Sequence, residues 1–207
     1  MRRLKTRTPA KRLSFVGAFA VTALISVLLS ALTSCRVSDR RGFHLDLTDF
    51  DQQAAVLDDV LVWPVQQRGV KLDDSLLRRM TEHLHRGVLR REYSALSRSM
   101  TDKIAETQGP DEAIAIQAAK QKQADGVLLL HLTKWDERGL LSLGKVRAEG
   151  ELRLVSPEGS LLWQGRLVCD EVLVDGLGGP RSLEERRQVA VERLADLVAA
   201  RLPQHRV

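Results

Sequence analysis

The stretch KVRAEGELRLVSPEGSLLWQGRLVC, Lys145 to Cys169, decides the fold. Its first half alternates without a slip, with Val146, Ala148, Gly150, Leu152 and Leu154 on one parity and Lys145, Arg147, Glu149, Glu151 and Arg153 on the other. That pattern predicts an antiparallel strand with one face in a core and one in water. Ser156-Pro157-Glu158-Gly159 is turn chemistry, since Pro presets its φ and Gly tolerates φ > 0. The return half places Leu161, Trp163, Gly165, Leu167 and Cys169 on one parity, opposite Gln164, Arg166 and Asp170. A hairpin follows, with Cys169 beside Trp163 and Leu167 on its inward face as a buried, inert thiol.

Upstream, GVLLLHLTKW (Gly126 to Trp135) is an apolar run of strand length that ends in a polar turn at Asp136 to Gly139. It adds a third strand, giving a meander. Further back, VLVWPV (Val60 to Val65) is apolar on both parities, as in a strand covered on both faces, and Pro64 ends it or marks an edge. An amphipathic helix follows, with Asp73 or Asp74 as N-cap and Leu76, Leu77, Met80, Leu84 and Val88 at helical spacing. A short strand is placed at Tyr93 to Leu96. Gly109-Pro110-Asp111-Glu112 opens a second helix carrying Ile114, Ala115, Ala118 and Ala119 and ending near Ala124.

Downstream, DGLGGP (Asp175 to Pro180) breaks the chain. Ser182 and Glu185 form a capping box for a last helix with Ala190, Leu194, Leu197 and Val198 as its apolar stripe, closed by Pro203. The predicted fold class is α+β: a mixed sheet with an antiparallel three-stranded meander and helices packed on one face.

The N-terminus has a different character. Arg2, Arg3, Lys5, Arg7, Lys11 and Arg12 precede LSFVGAFAVTALISVLLSAL, Leu13 to Leu32, which carries no charge. A basic segment followed by an apolar run is an export signal, to be set aside before fold reasoning. Leu32, Thr33 and Ser34 before Cys35 match a bacterial lipobox, in which an aliphatic and two small residues precede the cysteine that is acylated and becomes the new N-terminus. The competing reading is an uncleaved span, since roughly 20 apolar residues cross a bilayer. Both place the rest of the chain outside the inner membrane, because the basic cluster stays cytoplasmic.

The domains expected are therefore a signal peptide at 1–34, a lipidated cysteine and tether at 35–58 with one docked turn around Phe43 to Phe50, and a single periplasmic domain at 59–203. Six of the 32 Lys and Arg fall before Cys35, leaving 26 against 27 Asp and Glu. The pI of 9.6 thus belongs to the precursor, and a nucleic-acid partner is not expected.

No catalytic set emerges. His83 and His85 are two apart and point to different sides of a helix, and His44, His131 and His205 lie in unlike elements, so no metal site is predicted. Ser142 and Lys145 have the Ser-x-x-Lys spacing but lie between strands. Gly176-x-Gly178-Gly179 lacks the Lys-Ser/Thr of a phosphate loop. Asp136-Glu137 reads as a solvated turn. Trp63, Trp135 and Trp163 either line a pocket for a small ligand or glycan or belong to the core.

The first strand with its proline, the helix after it, AAKQKQADGVLLLHL with its Ala124-Asp125-Gly126-Val127 step, and ELRLVSPEGSLLWQGRL with its Leu162-Trp163 pair resemble a group of bacterial envelope lipoproteins. The group includes the curli-secretion lipoprotein, the lipoprotein activators of penicillin-binding proteins and the N-terminal domain of TolB. The resemblance covers about residues 58 to 202, though the turn carries Ser-Pro-Glu-Gly where the group usually has an Asp and a Thr-Gly. It implies a non-catalytic, lipid-anchored periplasmic domain, with no cofactor, that binds an envelope protein partner. The partner would engage a sheet edge or the exposed face of the helix at 75 to 90. The outer membrane is the expected site because Arg36 follows the cysteine; the inner membrane is the alternative. The rival reading is a periplasmic ligand binder or hydrolase.

Overall fold

In this computed structural model, residues 42–48, 57–174 and 182–203 are described. Along the chain these form β1 (Phe43–Thr48), β2 (Asp59–Val62), β3 (Gln66–Gln67), α1 (Asp74–Arg90), β4 (Ser94–Ala95), α2 (Arg98–Gln108), α3 (Glu112–Lys122), β5 (Gly126–Asp136), α4 (Leu140–Leu143), β6 (Lys145–Val155), β7 (Leu161–Val172) and α5 (Leu183–Arg201). Among the described residues one mixed sheet runs β1-β7-β6-β5-β2-β4, with β3 also paired to β5. The β1, β5, β6 and β7 pairings are antiparallel, and β5, β2 and β4 run parallel. The fold is α+β, as the meander predicts.

The strict alternation of β6 is realised residue by residue, with Val146, Ala148, Gly150, Leu152 and Leu154 all buried. Gly150 has a further role. A β-carbon there would lie 2.6 Å from the His131 carbonyl oxygen, where β5 slips register between Leu132 and Lys134, so the missing side chain admits the bulged backbone. Leu161 departs from its predicted inward parity and is 38% exposed. The cause is a second register shift, between Leu154 and Val155, which sets Leu161 opposite Val155 at the mouth of the hairpin.

Two apolar layers flank the sheet. On one face Leu76, Met80, Leu84 and Val88 of α1 and Ala190, Val191, Leu194, Ala195, Val198 and Ala199 of α5 pack over Val60, Val62, Leu128, Leu130, Leu152 and Trp163. The two long helices share this face, whereas the second helix expected from the sequence, α3, packs on the other, so helices cover both faces of the sheet and not one. On the other, Ala115, Ala118 and Ala119 of α3 and Ala105 of α2 meet Leu61, Trp63, Val127 and Leu129. Alanines at this contact let the helix lie close to the strands.

Two elements differ from expectation. Arg98–Gln108 is a helix, α2, which the sequence reading lacks because only Thr101 and Ala105 are buried along it and its apolar stripe is too thin to register. Phe43–Thr48, read as a docked turn in the tether, is instead a strand paired antiparallel to β7. Phe43 is buried and Leu45 partly so, while His44 and Asp46 are exposed, a period of two that a turn would not need. The sheet therefore begins upstream of residue 59.

Candidate functional site

Cys35 with Leu32, Thr33 and Ser34, the glycine loop at 176–179 and His205 lie outside the described residues. Among the described residues no helix is long and apolar enough to cross a membrane. The other singled-out side chains are dispersed. His83 sits 3.5 Å from Asp196 and 3.6 Å from Glu192, whereas His85 Nε2 meets the Leu96 carbonyl at 2.9 Å. Lys145 Nζ pairs with Asp170 at 2.8 Å, leaving Ser142 without it. Asp136 is engaged by Arg138, whose guanidinium holds its carboxyl well below the usual range. Glu137 is clamped by Arg187 of α5. Among the described residues no group of three or more His, Cys, Asp or Glu could hold a metal ion. The three tryptophans do not converge: Trp163 lies in the α1/α5 layer and Trp63 in the α2/α3 layer, on opposite faces of the sheet, and Trp135 is half-buried against Glu137. A single Trp-lined ligand pocket is thereby ruled out by geometry.

One concave feature has a topological cause. From β2 the chain crosses one face through α1 to reach β4, then returns over the other face through α2 and α3 to β5, on the opposite flank of β2. Two crossovers leaving in opposite senses open a crevice at the carboxyl end of the central parallel strand. A cleft of about 480 Å³ lies there, floored by Pro64, Val65 and Gln66, with Leu77, Arg78 and Thr81 of α1 on one wall and Ala105 and Glu106 of α2 on the other.

The floor is braced by a partly buried chain of hydrogen bonds. The Pro110 carbonyl accepts from Trp63 Nε1 at 2.7 Å and from the Gln66 amide nitrogen. Gln66 Oε1 is thereby turned to His131 Nε2 at 3.1 Å, which makes His131 the Nε2–H tautomer. Burial favours its neutral form and pushes its pKa down. Thr81 is also committed, its hydroxyl donating to the Leu77 carbonyl and accepting from the Val65 N–H. The groups left at the rim are Asp74, Arg78 and Glu106, whose side chains have no ion pair among the described residues. A floor of Pro64, Val65 and Gln66 under two carboxylates and one guanidinium that have no ion pair among the described residues suits docking of a segment with an apolar side chain and a cationic group. Sequence reading points to α1 as a docking face but cannot find the cleft, since α2 forms its second wall.

No protein-family model matches the chain, and no curated protein matches it. Solved structures of similar fold include the PelC dodecamer from Paraburkholderia phytofirmans, at 13% identity and a TM-score of 0.49 over 80% of this chain and 99% of that one. Lipoprotein GNA1162 from Neisseria meningitidis matches at 15% identity and 0.45 over 69% and 99%. The LpoB C-terminal domain from Salmonella enterica matches at 16% and 0.42 over 56% and 84%. At such identities the likeness concerns chain architecture only.

Proposed function

We propose that this chain is a non-catalytic lipoprotein of the bacterial envelope, anchored by acylated Cys35 on the periplasmic side of the outer membrane, and that it acts as an adaptor or assembly factor for an envelope protein complex. The observation that carries the reading is the basic segment, uncharged run and Leu32-Thr33-Ser34-Cys35 sequence. Multiple acyl chains on one residue give stable anchoring. With residues 1–34 removed, the stretch from Cys35 to β1 reaches at most roughly 29 Å at full extension, so the domain works close to the membrane surface. The cleft between α1 and α2 is the docking site in this reading, taking an apolar segment of the partner that carries a Lys or Arg to meet Asp74 and Glu106.

The test has two parts. Intact mass of the protein purified from native membranes should show a chain starting at Cys35 with acyl groups; an intact Met1 without them would remove the compartment and the anchor. A photo-crosslinking residue at Leu77 should then enrich one envelope protein over a signal-only lipoprotein control, and Glu106→Lys should reduce the yield. If nothing is enriched, the adaptor role fails even with the anchor established.

A further inference from the structure

β1 is an end strand of the sheet, and among the described residues nothing pairs its outer side. The direction of its backbone groups is fixed by one bond: the Asp170 N–H donates to the Gly42 carbonyl at 2.7 Å. In an antiparallel ladder these groups alternate along the strand. His44, Asp46 and Thr48 therefore face β7, and the N–H and C=O of Phe43, Leu45 and Leu47 face outward. Unpaired strand edges of this kind are templates for another strand, and proteins usually blunt them with charge, a bulge or proline. β1 has no proline, and its charged side chains do not repel a copy of themselves.

We infer that β1 is a self-complementary edge on which a second copy of this chain docks, antiparallel, about a two-fold axis at Leu45. In that register Leu45 pairs with Leu45 of the partner subunit, and Phe43 with the partner's Leu47, through the outward N–H and C=O groups. His44 falls opposite the partner's Asp46, and Asp46 opposite the partner's His44. These are non-hydrogen-bonded positions, where side chains approach most closely. Each imidazole thus meets a carboxylate. Shifting the axis by one residue destroys the match, since centring on His44 sets imidazole against imidazole and centring on Asp46 sets carboxylate against carboxylate. Both shifts also lose an outward pair within the strand. Within its own chain Asp46 lies across from Arg166, whose guanidinium is 3.6 Å from Glu149, so an opposing carboxylate would still meet Asp46 as a like charge. An isologous contact closes on itself and leaves no further edge at β1.

The experiment uses the full-length protein in mild detergent. His44→Cys and Asp46→Cys chains are mixed under mild oxidation, and the disulfide is located by peptide mass, which separates it from Cys35 and Cys169. Non-hydrogen-bonded neighbours lie within disulfide reach, so the mixture should yield about tenfold more 44–46 crosslink than either variant yields of a 44–44 or 46–46 link. Equal self-crosslinking would overturn the register, and no crosslink with a monomer by sedimentation would overturn the interface. His44→Asp, at an exposed position, should weaken dimerisation by about tenfold through two like-charge pairs, and the swap His44→Asp with Asp46→His should restore it. A swap as weak as the single change would also sink the proposal.

Discussion

Gly87 of α1 faces Ala199 of α5 so closely that a β-carbon at position 87 would lie 2.2 Å from the Ala199 Cβ. The helices meet there because one of them has no side chain. Gly87→Ala gains about 1 kcal/mol of helix propensity but forces the interface apart, and overpacking costs about 1–3 kcal/mol. A net loss of up to about 2 kcal/mol is expected in urea unfolding. Ala199→Gly added to Gly87→Ala should recover part of that loss, because the two sites are in contact and not additive. A fully additive pair would show that the helices relax freely.

How far the sequence reveals this architecture depends on how much of each element faces both core and water. β6 was fully legible, because its faces differ at every step, and the Ser182-Glu185 box was legible because both of its bonds are local, at 3.1 and 3.0 Å. α2 was not, since it buries only Thr101 and Ala105. β1 is not legible for another reason: its alternation is present, but its partner β7 is over a hundred residues away in sequence, with Phe43 opposite Cys169. The docking face of α1 could be named from its periodicity, yet the cleft could not, because a site at a crossover reversal exists only once strand order is known.

The caps of the helices offer a contrast. Ser182 accepts from the Glu185 N–H, whereas Asp73 at the start of α1 makes no side-chain capping bond. Ser182→Ala should cost about 1 kcal/mol in urea unfolding, and Asp73→Ala less than half as much. Equal losses would mean that Asp73 acts through the helix dipole and not through a bond.

Asp125 ties the two central parallel strands together. Its Oδ2 accepts from the N–H of both Asp58 and Asp59 at 3.0 Å, at the entry to β2, directly before β5 begins. This gives the Ala124-Asp125-Gly126 step a physical meaning: the acid satisfies two strand-end donors and Gly126 leaves room for Leu57 and Leu154. Asp125→Ala should cost about 1–3 kcal/mol, and Asp125→Asn less, because its carbonyl still accepts. Hydrogen exchange at residues 58 and 59 should quicken first.

Cys169 is buried in the α1/α5 layer, and burial pushes its thiol up to about 12. A thiolate is the reactive species, so labelling by iodoacetamide at pH 8 should be absent from Cys169 in the folded protein and complete after denaturation. Labelling of the native chain at this residue would place it outside the core.

The acid sensitivity of the fold should run through Glu137. Its carboxylate lies in the turn after β5 and is gripped by the Arg187 guanidinium of α5, with Nε at 2.9 Å from Oε2, while Trp135 Nε1 donates at 3.3 Å. Arg187 first, then the indole, hold its pKa below the usual glutamate value, and the pair is only 27% and 30% exposed. A carboxylate with a depressed folded-state pKa binds its proton more weakly in the native chain than in the unfolded one. Its stabilisation is therefore complete above about pH 4.5 and drains away as pH falls through the folded-state value. Urea unfolding at pH 7 should find Glu137→Gln destabilised by about 1 kcal/mol, the scale of a half-buried bidentate pair. Between pH 5 and 3 the parent should lose stability more steeply than the variant, so that their curves converge. Partly exposed acids away from the clamp, such as Glu149 and Asp170, each beside a cation, titrate with the same sign in both proteins and cancel in the difference. Parallel curves across that range would mean that the clamp between the β5 turn and α5 contributes nothing to the charge linkage.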